Sequence, residues 1–320
     1  MIGMAAAAKS TAQGSTDSAR VEVEGRRLAL SNLGKVMYPD DGVTKAEVID
    51  YYRAIAPTLL PHVAHRPLTV KRYPDGVDGK SFFEKNAPSH TPDWVRTVRL
   101  PVPGSTMNRE EIDFIVADTL PTMVWLGNQA ALELHVPQWT VGPRGAVRGA
   151  DLLVFDLDPG APATVVDCAR VALLLRDALA GDGLDAYPKS SGKKGMQLYV
   201  PIRPAAPGRT SDYAKSLAER LTADHPDRIV ARMDKRLRGG KVFIDWSQNN
   251  PAKTTVAPYS LRAADRPTVS APLTWDEVDD AGRPADLRFT ADEVRARVDE
   301  HGDLFAPLLA GSRPRLPDGR

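Results

Sequence analysis

Thiol chemistry is almost absent from this sequence, whose single cysteine is Cys168. One thiol builds neither a disulfide framework nor a thiolate metal site within one chain. Such usage suits a reducing compartment, and a cytoplasmic protein is expected. Histidine is scarce, six in 320 residues, and neither an HxH nor an HExxH pattern occurs. That argues against a zinc hydrolase. No apolar run approaches the roughly 18 residues of a membrane helix. An excess of one charge is missing too: 42 basic residues against 41 acidic leave a formal net charge of +1. Overall electrostatics therefore announces no nucleic-acid partner, and such a case rests on local clusters.

What is present is a chain that is 42% hydrophobic, enough for one large or two medium domains. Residues 1–20 are small and polar and are expected to form a disordered arm. Residues 21–305 are expected to form one catalytic domain of two lobes, and 306–320 a loose tail. The segment VEVEG from Val21 alternates as a half-buried strand does. Thr44 and Glu47 fit a capping box for a helix that runs through VIDYYRAIAPTLLPHV, with Pro57 and Pro61 limiting its end. Around Phe82 and Phe83 the chain reads as loop, with one of the two rings expected to pack inward. TLPTMVWLGNQAALELHVPQW reads as a buried helix running into a strand, and DLLVFDLDPG as a buried strand. TVVDCARVALLLRDALAGDG and SDYAKSLAERLTADHP carry helical periodicity, the second with Ser211 or Asp212 as cap. The mixture implies an α+β or α/β fold with a largely buried sheet.

The residues able to do chemistry cluster in the centre. In VFDLDPG, Asp156 and Asp158 stand two apart on a strand, so both project from one face. Paired carboxylates repel unless a cation or proton lies between them, and hard divalent metals favour oxygen ligands. Two metals roughly 3.5–4 Å apart clamp the attacking and leaving oxygens of a phosphoryl displacement. A bare DxD is more often a turn opener; Asp245, ending the apolar strand of GKVFIDWSQNN, supplies a plausible third ligand. Between them, Lys189, Ser190, Ser191, Gly192, Lys193, Lys194 and Gly195 form a loop whose hydroxyls, charges and glycines suit a triphosphate. The Walker order GxxxxGK[ST] is absent, so this is no P-loop. The basic run Arg228, Arg232, Lys235, Arg236, Arg238 and Lys241 leads into the Asp245 strand and could steer a phosphate backbone there.

Taken together, LSNLGKVMYP, TKAEVIDYY, RPLTVKRYPDGVDGKSFFEK, ALELHVPQW, LVFDLDPG, SSGKKG, GKVFIDWSQNN and KTTVAPYSLR resemble, in that order, the bacterial LigD-type polymerase domain. That family lies in the archaeo-eukaryotic primase (Prim-Pol) superfamily. The resemblance implies a primase-polymerase fold, with an RRM-like catalytic sheet packed against a second β-rich lobe. It implies Asp156, Asp158 and Asp245 as catalytic metal ligands, for Mn2+ or Mg2+. Lys71, His135, Ser191, Lys194 and Arg262 match positions that contact the incoming nucleotide, and Gln248 of the DWSQN motif is expected at the nucleotide too. Lys35 and Lys45 match positions that hold a downstream 5′-phosphate, and Phe82 or Phe83 would stack on a template base.

One departure stands beside the site: many relatives carry His where this chain has Gln197, which offers only neutral hydrogen bonds. No KxDG nucleophile of an ATP-dependent ligase occurs. The resemblance therefore implies a stand-alone repair polymerase, like the Prim-PolC branch, with no ligase activity. Expected partners are gapped or broken DNA, NTPs or dNTPs, and in an end-joining role Ku and a separate ligase; a bacterial, nucleoid-associated location goes with them. Two other readings stay open: a non-catalytic DNA-end binding module and a metal-dependent nuclease. Retention of all three acids speaks against the first, and the triphosphate-like loop against the second.

Overall fold

The computed structural model describes residues 17–102 and 109–317. The chain opens with a hairpin, β1 (Ser18–Val23) and β2 (Arg26–Ser31), and a short pair, β3 (Val36–Tyr38) and β4 (Val43–Thr44). Helix α1 (Lys45–Val63) follows, then β5 (Thr69–Arg72), β6 (Phe82–Glu84), β7 (Thr97–Pro101) and β8 (Glu111–Ile115). Next come α2 (Leu120–Asn128), β9 (Ala131–Val136), β10 (Trp139–Val141) and the long β11 (Val147–Pro159). The second half runs α3 (Val165–Gly181), β12 (Tyr187–Ser190), β13 (Met196–Ala205), α4 (Arg209–Asp224), β14 (Ile229–Val230), β15 (Val242–Asp245) and β16 (Thr255–Val256). Helices α5 (Trp275–Asp280) and α6 (Ala291–His301) close it.

Two sheets organise these elements. The first runs β12-β13-β11-β15-β14, with β10 also on β11. From β11 to β15 the chain order is β-α-β-β-α-β with a short extra strand, and the main strands pair antiparallel. This is the expected RRM-like arrangement. The second sheet, β16-β9-β5-β6, lies in the other lobe with α1 and α2, which share its apolar core.

Strand alternation decides where the site can be. Leu153, Phe155 and Leu157 of β11 enter a core with Cys168, Leu175 and Leu179 of α3 and Leu217 and Leu221 of α4. The even-numbered residues face the other way. Leu152 and Val154 pack there with Tyr199, Phe305 and Leu308, which leaves Asp156 and Asp158 beyond the covered part.

Several local expectations need correction. Residues 1–16 and 318–320 of the expected loose ends lie outside the described residues, but Ser18–Arg20 already belong to β1. Residues 306–317 are packed: Leu308 is buried, Arg203 N–H donates to the Pro314 carbonyl, and Arg313 pairs with Asp151 at 2.8 Å. The capping box at Thr44 and Glu47 is present, and α1 runs through Pro57 and Pro61 to Val63, as far as the expected helix. A proline inside a helix costs roughly 3 kcal/mol, and burial of Ile55, Ala56, Leu59 and Val63 on the same helix opposes that cost. Helix α4 starts at Arg209, ahead of the expected caps, because Gly208 takes a left-handed φ of 86° at its N-cap. Phe82 and Phe83 form part of an edge strand, and both rings are exposed.

Leu308→Ala tests the packed tail. Removing this buried side chain should lower unfolding stability by about 2–5 kcal/mol in urea titrations; a loose tail would give no measurable change.

Candidate active site

The acidic residues are brought together by strand register. Asp156 on β11 pairs directly with Asp245 on β15 on one side and with Gln197 on β13 on the other. Gln197 in turn pairs with Lys189 on β12. Lys189, Gln197, Asp156 and Asp245 thus form one row across four strands, on one face, with Asp158 one pleat further along β11. Lys189, fully buried, donates to Gln197 Oε1 at 2.6 Å and to Ser270 Oγ at 2.5 Å. Gln197 Nε2 donates to Asp156 Oδ1 at 3.0 Å.

Like charges on directly opposed strand positions destabilise a sheet, and the proton affinities register this. Burial and then the charge of Asp158 push the Asp156 carboxyl up to about 7, with Asp245 adding to the rise against the Gln197 hydrogen bond. Burial and Asp245 raise Asp158 as well. Asp245 is held by its own neighbours: Ser247 N–H and hydroxyl donate to Oδ1 at 3.0 and 2.5 Å, and Gln248 Nε2 to Oδ2 at 2.9 Å. Lys253 Nζ stands 4.0 Å away. Among the described residues no three His, Cys, Asp or Glu side chains already converge as a metal-binding group. The donor set nonetheless fits hard divalent cations: carboxylate oxygens only, with Asp156 and Asp158 raised in proton affinity and Asp158 exposed. Gln248, expected at the nucleotide, acts on Asp245 here.

The SSGKKG loop sits beside this row because its glycines permit it. A Cβ on Gly195 would lie 2.2 Å from the Leu157 carbonyl oxygen of β11. Gly192 has a φ of +71°, and a Cβ there would meet Arg262 Cγ at 2.6 Å. The Ser191 hydroxyl is turned into the loop, accepting from Gly195 N–H at 3.0 Å. Arg262, from the segment after β16, donates to the Ser191 carbonyl at 2.9 Å. Lys194 is exposed.

The second sheet presents its own row to the cleft. Phe83 on β6 pairs with Lys71 on β5, and Lys71 with Glu133 on β9. Lys71 Nζ lies 5.4 Å from the Phe83 ring centre, and His135 stands edge-on to that ring at 5.5 Å. His135 Nε2 is 3.1 Å from Glu133, and burial lowers its proton affinity. Register places Phe82 on the opposite face, where Arg72 stacks on it at 5.4 Å. Lys35 Nζ bonds the Pro74 carbonyl and Asp75; Lys45 Nζ, at the start of α1, bonds the Ser31 carbonyl. Burial and then the charges of Lys35 and Arg72 lower Lys45 to about 8.

Sequence reasoning thus found residues that the fold gathers on two facing rows. It missed Glu133, the role of buried Lys189, the reach of Lys193 to Glu133 and the place of Lys253. A carboxylate inside the apolar run ALELHV was the available signal for Glu133.

The LigD primase-polymerase domain family matches residues 44–305. The multifunctional non-homologous end joining protein LigD of Mycolicibacterium smegmatis is 45% identical over 287 residues, covering 89% of this chain and 36% of that protein. The bifunctional non-homologous end joining protein LigD of Bacillus subtilis is 35% identical over 281 residues, covering 87% and 44%. Among solved structures, the polymerase domain from Mycobacterium tuberculosis Ligase D in complex with DNA superposes with a TM-score of 0.83 at 42% identity, covering 89% of this chain and 99% of that one. The chain spans less than half the length of these curated relatives.

The carboxylate row predicts a stability signature. A carboxyl whose folded pKa is raised loses stability as pH climbs from its unfolded value through its folded one. In chelator at pH 8, Asp156→Asn should therefore melt above the parent, with the gap closing toward pH 4. Manganese should raise the melting temperature of the parent more than that of the variant. A variant less stable than the parent at pH 8 without metal would contradict the assignment of repulsion at this site.

Proposed function

This chain belongs to the LigD primase-polymerase domain family, and from that membership we propose that it is a DNA repair polymerase. It is a nucleotidyltransferase that adds NTPs or dNTPs to a primer 3′-hydroxyl at short gaps or broken ends. The observation that carries this reading is the register that sets Asp156 opposite Asp245, with Asp158 beside them, at the open end of the sheet.

Asp156, Asp158 and Asp245 would hold the divalent ions, Mn2+ or Mg2+. Such ions, when bound, lower the pKa of an attacking hydroxyl and neutralise a leaving pyrophosphate. The protein's own residues do the rest. Lys71, Lys194 and Arg262 offset triphosphate charge, with Arg262 also tying the loop at Ser191. His135, low in proton affinity, serves as a neutral hydrogen-bond partner. Gln197, braced by Lys189, fixes the orientation of Asp156. Phe83, exposed at the cleft, offers a stacking face for an unpaired base, and Phe82 does so on the other side of its strand.

Short-gap filling is the favoured role. Lys35 and Lys45 stand together at the N-terminal end of α1, Lys45 N–H donating to the Lys35 carbonyl, and their two charges would hold a 5′-phosphate. End joining with Ku and a separate ligase is the second reading, favoured by the names of the curated relatives.

Primer extension with manganese on a gapped duplex is the test. Asp156→Ala and Asp158→Ala should each lose more than the roughly 10–100-fold typical of groups that only orient a metal ligand; parent-like extension by either would overturn the metal assignment. The parent should extend faster on a gap bearing a 5′-phosphate than on one without. Lys35→Ala and Lys45→Ala should each reduce that preference roughly tenfold, and the preference should fade above about pH 8 as Lys45 discharges. A preference for blunt or overhanging ends with Ku would favour the second reading.

A further inference from the structure

Glu133 is a charged residue in the otherwise apolar stretch Ala131–Leu134, and it is 2% exposed. Burying a carboxylate is costly unless it is paired and hydrogen-bonded. Its partners come from separate parts of the chain. Oε1 lies 3.0 Å from Lys193 Nζ, 3.5 Å from Arg262 Nε and 3.5 Å from the Tyr73 hydroxyl, and accepts the Ala263 N–H at 3.1 Å. Oε2 faces His135 Nε2 at 3.1 Å. Lys71 is its direct cross-strand neighbour.

These contacts cross the cleft. Lys193 belongs to the loop between β12 and β13 of the catalytic sheet, whereas Glu133 sits in the second sheet. Two cations, Lys193 and Arg262, therefore share one carboxylate, with Lys71 as its cross-strand neighbour. Without the carboxylate these cations would repel one another, and the tip of the loop would be left with the Arg262–Ser191 and Thr268–Gly192 ties to the segment after β16. Burial pushes the Glu133 carboxyl up, but the His135 hydrogen bond and the Arg262 and Lys193 charges outweigh it and hold the group ionised.

We propose that Glu133 is a positioning residue that assembles the phosphate-binding cations across the cleft before the nucleotide arrives, with Lys193 as its partner on the catalytic-sheet side. The inference rests on the polymerase reading above. Its opposite is a simple one: a carboxylate near a triphosphate site repels the ligand, and its removal tightens binding.

Steady-state kinetics of nucleotide incorporation on primed DNA in manganese separate the two. Glu133→Gln should raise KM for the nucleotide roughly tenfold, with kcat changed far less, because preorganisation is what is lost. Glu133→Asp keeps the charge but withdraws it, and should also raise KM. Lys193→Gln lies at the surface and folds irrespective of the core, and it should raise KM by a smaller factor. The double variant Glu133→Gln/Lys193→Gln should be no worse than Glu133→Gln, since both remove one shared contact. A parent-like or lowered KM in Glu133→Gln, or additive effects in the double variant, would overturn the proposal. Should Glu133→Gln fail to fold, a parent-like KM in Lys193→Gln would overturn it, and a raised one would support it. A parent that incorporates no nucleotide refutes the polymerase reading instead, so the two failures are distinguishable.

Discussion

Carboxylates set directly opposite one another on neighbouring strands repel, and β11 and β15 put Asp156 and Asp245 in that relation with Asp158 beside them. The surrounding structure depends on supporting this arrangement. The odd-numbered face of β11 is anchored by Phe155 and Leu157 against α3 and α4, so the strand cannot slip by a residue without burying the acids and exposing the core. The C-terminal segment covers Leu152 and Val154 on the even face and stops short of the acids. Internal donors then support what remains: Gln197, braced by Lys189, for Asp156, and Ser247 and Gln248 for Asp245.

The second lobe answers this negative row with a positive one. Lys71, His135 and Arg262 come from different elements of that lobe, and Arg262 meets the SSGKKG loop across the cleft. Gly195 brings the loop against the backbone of β11, and Gly192 brings it against Arg262. Gln197 lies between the two charge systems, between buried Lys189 and Asp156. A neutral amide can donate to one and accept from the other at once, which an imidazole does only in a fixed tautomer.

Much of this was legible in the sequence. The spacing of Asp156 and Asp158 fixes a shared face, and the apolar runs ending in Asp158 and Asp245 mark buried strands. The Thr44 capping box, the helices α2 and α3 and the paired strands around SSGKKG follow from local pattern. What was not legible depends on tertiary contacts. The direct opposition of Asp156 and Asp245 is a matter of register between strands some ninety residues apart, about which local periodicity is silent. Residues 306–317 read as loose because their partners, Asp151 and Arg203, lie far back in the chain. Glu133 was overlooked because its meaning comes from Lys193 and Arg262, which only the fold brings to it.

The carboxylate row lies within residues 44–305, the span matched by the LigD primase-polymerase domain family. We propose that the three aspartates form one metal site. Crystals soaked with manganese and a non-hydrolysable nucleotide, measured at the manganese absorption edge, test that claim most directly. The account predicts anomalous density bonded to carboxylate oxygens of Asp156, Asp158 and Asp245, with the triphosphate reaching from it toward Lys71 and Arg262. Manganese bound elsewhere, or a nucleotide seated without any contact from these aspartates, would contradict it.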